Sequence, residues 1–284
     1  LRLQPQDADK RMEGQTISVY EPSAFLRPYV RCYYVLECCE PASVLTFPLG
    51  YTQLIFHKRT PLEIPELDIR QHQFTVSGQV DYPTHVVSQG NTEMIVVEFY
   101  PHTISPFIGI SPFEFRNFEI SGFDIAGDDM RELADRVLDC DDNRQGIRMI
   151  EMWLLSKLCA VSMRDMQRVG RAVSHIVRNP SISVASLADS VCMSERQFGR
   201  VFSKYVGMKP KEYSSIVRFQ KSLWLMNNNC ADFSSIAYEC GYSDQSHFIR
   251  EFKHYSGCTP RGFLGLQIPY SGLYSNPADI CRIQ

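Results

Sequence analysis

The sequence predicts two domains of different class: a mainly-β N-terminal domain with trailing α-helices over residues 1–162, and an all-α domain with two helix-turn-helix motifs over 163–264. A tail, 265–284, follows. Three observations predict this. Short runs rich in β-branched and aromatic residues, broken by Gly, Pro, Asn and Asp, fill the first hundred positions. Helical periodicity takes over near residue 102. Between residues 187 and 263 one pattern is written twice.

The strand runs are "TISVY", "VRCYYVLE", "SVLTFP", "TQLIFH", "QFTVSGQV", "THVVSQ" and "EMIVVEFY". Many short strands with turn signals between them predict a barrel or sandwich. No helix alternates with them, which excludes a parallel α/β sheet. "HTISPFIGI" predicts a short helix. Met130, Leu133, Val137 and Leu138 give helical spacing to 128–140. In 143–161, Ile147, Ile150, Leu154, Leu158 and Val161 make one apolar side, and Met149, Met152, Trp153 and Leu155 a second. A helix apolar on two sides needs two surfaces to cover it, within the chain or from a second copy. Everything from "MQRVGRAVSHIVRN" to "SDQSHFIREFKHYSG" reads as helix, in short-then-long pairs.

The two copies align position by position. Leu187, Ala188, Met193 and Ser194 match Ile236, Ala237, Tyr242 and Ser243. Phe198, Arg200, Phe202, Tyr205, Gly207, Pro210 and Tyr213 match Phe248, Arg250, Phe252, Tyr255, Gly257, Pro260 and Phe263, one residue having been added near Asp244. Each copy reads as a short helix, a tight turn and a second helix. Cys240-Gly241 marks the second turn; the first has Cys192-Met193 and no Gly. Ser194 and Ser243 stand where N-caps are expected.

On each second helix the apolar stripe fixes which residues face out. Arg196 and Arg200 lie about 200° from Phe198 at 100° per residue. With Gln197 they form the outer face of copy one, near 194–206. Gln245, Ser246, His247 and Arg250 form that of copy two, near 243–255. These side chains can hydrogen-bond base edges in a major groove. Lys204 and Lys253, with Ser194 and Ser243 at the helix starts, are candidates for phosphate contact. Charge supports an anionic partner for this half. Residues 1–162 carry 14 Lys and Arg against 23 Asp and Glu, a net −9, whereas 163–263 carry 14 against 8, a net +6.

"SLADSVCMSERQFGRVFSKYVGMKPKEY" and "SSIAYECGYSDQSHFIREFKHYSGCTPRGF" resemble the DNA-binding domain of AraC/XylS-type transcription regulators, over about residues 166–264. The resemblance implies double-stranded DNA as partner, and two recognition helices in successive major-groove segments, joined by the long helix near 210–227. Arg196, Gly199 and Arg200 then fall at the first reading positions. Gly199 reads no base by side chain. The first 160 residues are similar, through the order of their elements and "FPLGYTQLIFH", to the sensor halves of such regulators. That similarity implies a cupin-like barrel binding an unknown small-molecule effector, helices that pair a homodimer, and RNA polymerase as a further partner.

The competing reading is a metal-dependent cupin enzyme or metal sensor, with the helical half only a locator. His57, His72, His85 and His102 are its candidate ligands, but no H-x-H pair occurs, and neither metal nor cofactor is expected. G-x-S-x-G, Walker and G-x-G-x-x-G motifs are absent. Phe47, Phe74, Tyr82 and Phe99 are candidate pocket-lining aromatics. Ten scattered cysteines without a C-x-x-C pair, behind a polar start, fit reduced thiols in a cytoplasmic protein. No run approaches the roughly 20 apolar residues of a membrane span.

Overall fold

The computed structural model describes residues 10–12, 15–158, 163–228 and 232–265. The expected domain boundary, the tail beyond Gly265, and Cys159, Cys230 and Cys281 lie outside these. A β-rich region precedes an all-helical one. The strands are β1 (Lys10–Met12), β2 (Gln15–Tyr20), β3 (Val30–Cys38), β4 (Pro41–Thr46), β5 (Thr52–His57), β6 (Glu63–Ile64), β7 (Ile69–Arg70), β8 (Phe74–Ser77), β9 (Thr84–Gln89), β10 (Thr92–Phe99) and β11 (Glu119–Ser121). They form two antiparallel sheets, ordered β1-β2-β3-β10-β5-β8-β11 and β4-β9-β6-β7.

The larger sheet is covered on both faces, which explains its near-continuous apolar runs. In β3 and β10, Tyr33, Val35, Ile95 and Val97 face helices, while Tyr34, Met94 and Val96 face the smaller sheet. Strand alternation puts neighbours on opposite faces. The helices on the outer face are α1 (Ser105–Ile108), α2 (Gly122–Ile125), α3 (Asp128–Leu138) and α4 (Asn143–Leu158). Met130, Leu133 and Val137 of α3, with Ile147, Ile150 and Leu154 of α4, pack there. The expected second side of α4 is only partly realised. Trp153 is buried and donates to Asp129 Oδ2 at 2.8 Å. Met149 and Leu155 are half-buried, and Met152 is 56% exposed.

The pocket aromatics divide by the same alternation. Phe74 and Phe99 belong to the helix-facing core, Phe56 stacking on Phe74 at 4.6 Å. Phe47 lines the space between the sheets; Tyr82 does not.

The helical region comprises α5 (Met163–Arg178), α6 (Val184–Ser190), α7 (Glu195–Val206), α8 (Pro210–Asn228), α9 (Phe233–Cys240), α10 (Gln245–Ser256) and α11 (Pro260–Phe263). Its core is not made by helices alone. Phe47 and Tyr51, from the loop after β4, are buried within it. The Phe47 ring lies edge-on to Phe219 at 6.1 Å and to Phe263 at 5.7 Å.

The four histidines are dispersed. His57 Nε2 is 2.8 Å from Gln71 Oε1. His85 Nδ1 meets Glu66 at 2.5 Å. His102 is buried against Gly170, where a Cβ would come within 2.6 Å of its ring. His72 lies apart, its backbone bonded to Thr75 Oγ1. Among the described residues, no three His, Cys, Asp or Glu side chains form a group able to hold a metal. No helix among them is long and apolar enough to cross a membrane. Cys240 is buried, which pushes its thiol up to about 12 and leaves it unreactive.

Burial pushes the His57 and His102 imidazoles down to about 4. Both stay neutral in the fold while the unfolded chain takes up protons below about 6.5. Stability therefore falls as pH drops from about 6.5 to about 4, by about 3 kcal/mol for each ring. Urea unfolding of wild type and His57→Gln at pH 7 and pH 4.5 measures it. The variant is expected to lose markedly less stability on acidification; equal losses would show that His57 does not titrate as its burial implies.

Candidate nucleic-acid interface

The two helix-turn-helix units use the same local physics with different residues. In each, the first helix ends in a residue at positive φ: Cys192 at 55° and Gly241 at 80°. The following amide then turns back onto the same buried alanine. Met193 N–H donates to Ala188 O at 3.0 Å, and Tyr242 N–H to Ala237 O at 2.9 Å. Both alanines are almost fully buried, so the helices cross closely. The second helix ends in each copy on a left-handed glycine, Gly207 and Gly257.

The N-caps differ. Ser194 caps α7 as expected, accepting from Gln197 N–H at 3.3 Å. Ser243 does not cap α10. Asp244 takes the position, accepting from His247 N–H at 2.7 Å, and this donation holds its carboxyl below the usual range. The residue inserted into the second copy shifts the cap by one. Ser243 Oγ instead lies 3.1 Å from His247 Nδ1.

Phe198 and Phe202 of α7, and Phe248, Phe252 and Tyr255 of α10, are buried, and the opposite faces are exposed. Arg196, Gln197, Arg200 and Lys204 are exposed on α7; Gln245, Ser246, Arg250 and Lys253 on α10. His247 is half-buried. Its ring is edge-on to Tyr242 at 5.3 Å, and Nε2 lies 3.6 Å from Glu251. It braces the turn, and Arg250 extends into solvent. Gln245 Oε1 accepts from Ser234 Oγ at 2.9 Å, tying α10 to α9.

Two anchorings hold these helices, neither visible in the sequence pattern. Arg218 of α8 spans to α10, its Nε and Nη2 each 3.2 Å from a Glu251 oxygen, with its guanidinium 5.4 Å from the Tyr242 ring. At α7 the β-rich region supplies the partner. The last carbonyls of a helix lack donors within it. Here Ser111 Oγ donates to Lys204 O at 2.7 Å and Gln79 Nε2 to Val206 O at 2.7 Å. Pro112 packs on Gly207, and Arg116 bridges Glu212, at 2.9 Å, and Asp81. These contacts grip the end of α7 farthest from Arg196 and Arg200.

Residues 187–265 match the family model described as a helix-turn-helix domain. The segment is a helix-turn-helix domain. Residues 18–121 match a family described as a domain of unknown function (DUF6597). An uncharacterized HTH-type transcriptional regulator of Haemophilus influenzae is 30% identical over 113 residues, 39% of this chain and 38% of the relative. The HTH-type transcriptional activator RhaS of Escherichia coli is 32% identical over 76 residues, 27% of each. The chain thus spans well under half the length of these relatives. Among solved structures, ToxT of Vibrio cholerae covers 82% of this chain and 97% of its own, with a TM-score of 0.41 and 14% identity.

The repeat also exposes a difference in strain. Cys192 occupies the left-handed conformation that Gly241 occupies in the other copy, at a cost of roughly 1–2 kcal/mol for a residue with a Cβ. Cys192→Gly is expected to be neutral or to stabilise by up to about 1 kcal/mol, after the unfolded-state entropy of glycine is counted. A thermal melt checks it; destabilisation beyond about 1 kcal/mol would mean the Cys192 side chain has packing value of its own.

Proposed function

We propose that this protein is a sequence-specific, DNA-binding transcription regulator. It reads two successive major-groove segments with α7 and α10, and its β-rich, cupin-like region senses a small molecule. One observation carries the reading: Arg200 and Arg250 occupy the same position of a repeated, separately anchored unit, both exposed opposite a buried phenylalanine stripe. Arg196, Gln197, Gln245 and Ser246 share the exposed faces and complete the reading set. His247 is assigned to bracing. Ser194, Ser243, Lys204 and Lys253 are assigned to phosphates. The excess of basic residues in this half supports the assignment. The metal-dependent reading is disfavoured, because its histidines are spent on Gln71, Glu66 and the packing against Gly170.

The protein is further proposed to act by binding rather than catalysis, in the cytoplasm, as a homodimer paired through α4. Met152 is its exposed apolar residue there, flanked by half-buried Met149 and Leu155. Met152→Glu is expected to give a folded monomer by analytical ultracentrifugation. A wild type that is itself monomeric at tens of micromolar refutes the pairing.

Arginine recognises guanine O6 and N7, and a good bidentate contact discriminates by about 1–3 kcal/mol. Arg200→Ala and Arg250→Ala are each expected to weaken specific binding roughly 5- to 150-fold and to relax preference at different bases, about 10 base pairs apart. Lys204→Ala weakens binding to all sequences and lowers the salt slope by about one. A randomised-site selection on wild type and the three variants is the measurement. If both Arg variants keep the wild-type preference, or lose the same base, two readers are not at work.

A further inference from the structure

Between the facing sheets lies a cavity of about 190 Å³. Ile17, Leu36, Val44, Ile55, Ile64 and Met94 give it apolar walls from both sheets. One side is helical: Gln220 and Leu223 of α8, the helix joining the two DNA-binding units, complete the lining beside Phe47 and Tyr51. A water needs roughly 10–15 Å³ on the same measure, so the space suits an organic molecule on the order of ten non-hydrogen atoms.

The polar chemistry of this lining is one-sided. Glu119 supplies its one carboxyl group among the described residues, and no Lys, Arg or His is among those that line it. Ser77 Oγ donates to Glu119 Oε1 at 2.8 Å, but Oε2 has no partner among the described residues. Gln220 donates through Nε2 to Pro48 O, while its Oε1 has no partner among the described residues. The Tyr51 hydroxyl is likewise unpaired. Buried polar atoms are normally paired. Glu119 Oε2 and Gln220 Oε1 are acceptors in a cavity without a cation, so the matching ligand brings donors and positive charge. An anionic ligand would face Glu119 with nothing to neutralise it.

We propose that this cavity binds a small organic amine, its apolar body between the sheets, its ammonium group on Glu119, and its bulk against Gln220 and Leu223 of α8. Binding stands on the cavity alone; only its consequence for DNA rests on the regulator reading above.

Without a ligand, burial pushes the Glu119 carboxyl up to about 7, against the hydrogen bond from Ser77 and its neighbour Gln71. Tyr82 feels the charge of Glu119 together with those of Asp81 and Glu66, and His57, neutral, lies beyond Gln71. An ammonium ion favours the carboxylate, so below about pH 7 binding releases the Glu119 proton to solvent. Affinity for an amine then rises about tenfold between pH 6 and pH 8, while the amine stays protonated.

The test is calorimetry on the full chain with 2-phenylethylamine, 2-phenylethanol and 3-phenylpropionate, at pH 6 and pH 8. The amine is expected to bind best, with the stated pH dependence, and the carboxylate worst. Glu119→Gln is expected to weaken the amine about 10- to 100-fold and flatten its pH profile while sparing the alcohol. The wild-type pH profile needs no variant, which keeps the test decisive should Glu119→Gln fold poorly. A carboxylate that binds as well as the amine, an amine affinity independent of pH, or no binding by any of the three overturns the proposal. DNA affinity measured on the same preparation separates the two readings. Amine binding without DNA binding sinks only the regulator, and the converse sinks only the amine site.

Discussion

The insertion of Phe47 into the helical core is the contact on which the arrangement of this molecule depends. The segment "FPLGY" leaves β4 and enters the other region before β5 begins. Phe47 touches Phe219 of α8 and Phe263 of α11, Pro48 O accepts from Gln220, and Gly50 passes under the Tyr213 ring. At Gly50, φ is +74° and a Cβ would stand 3.2 Å from Tyr213, so backbone conformation and space both favour glycine. Ring contacts of this kind contribute about 0.5–1.5 kcal/mol each beyond buried area. Because Phe219 also meets Phe252 and Tyr255 of α10, at 5.3 Å each, one unbroken aromatic run joins the cavity wall to the second helix-turn-helix unit.

The two units are therefore held unequally. The first is gripped at its C-terminal turn by side chains from the β-rich region, which satisfy carbonyls the helix cannot satisfy itself. The second is held by Arg218 on Glu251 and by the aromatic run, with Pro83 of the β-rich region against Gly257. From the cavity wall at α8, packed rings lead to α10, and the helix that carries Glu212 and Arg218 leads to α7. The same helix is a wall of one cavity and the spacer of two helix-turn-helix units.

Much of this was legible in the sequence, and the rest was hidden for physical reasons. Seven strand runs and the long helices appear where periodicity put them, because burial of one or two faces dictates their composition. β1, β6, β7 and β11 were missed: two or three residues carry no period. Phe74 and Phe99 were candidates for the pocket beside Phe47, yet they face helices, since a strand apolar on both sides does not say which side is which. Ser243 was expected to cap α10, but the inserted Asp244 is the better-placed acceptor. Exposure of Arg196, Arg200 and Arg250 followed from angular position alone. Arg218, Glu251, Gln220 and Glu119 could not be singled out, because each matters through a partner distant in the chain. Glu119 begins a three-residue strand with no pattern, and only the packing of the sheets makes it the carboxyl group of a cavity.

Loops between strands ordinarily drift freely, since they run over the surface and touch little. The loop 47–51 is placed otherwise. Its residues pack in two regions at once, so a change at Phe47 or Gly50 alters the fit at Phe219, Phe263 and Tyr213 of the helical region. Replacing the β-rich region by another would withdraw this pentapeptide from the helical core and leave Phe219 and Phe263 without the ring that packs on them from Phe47.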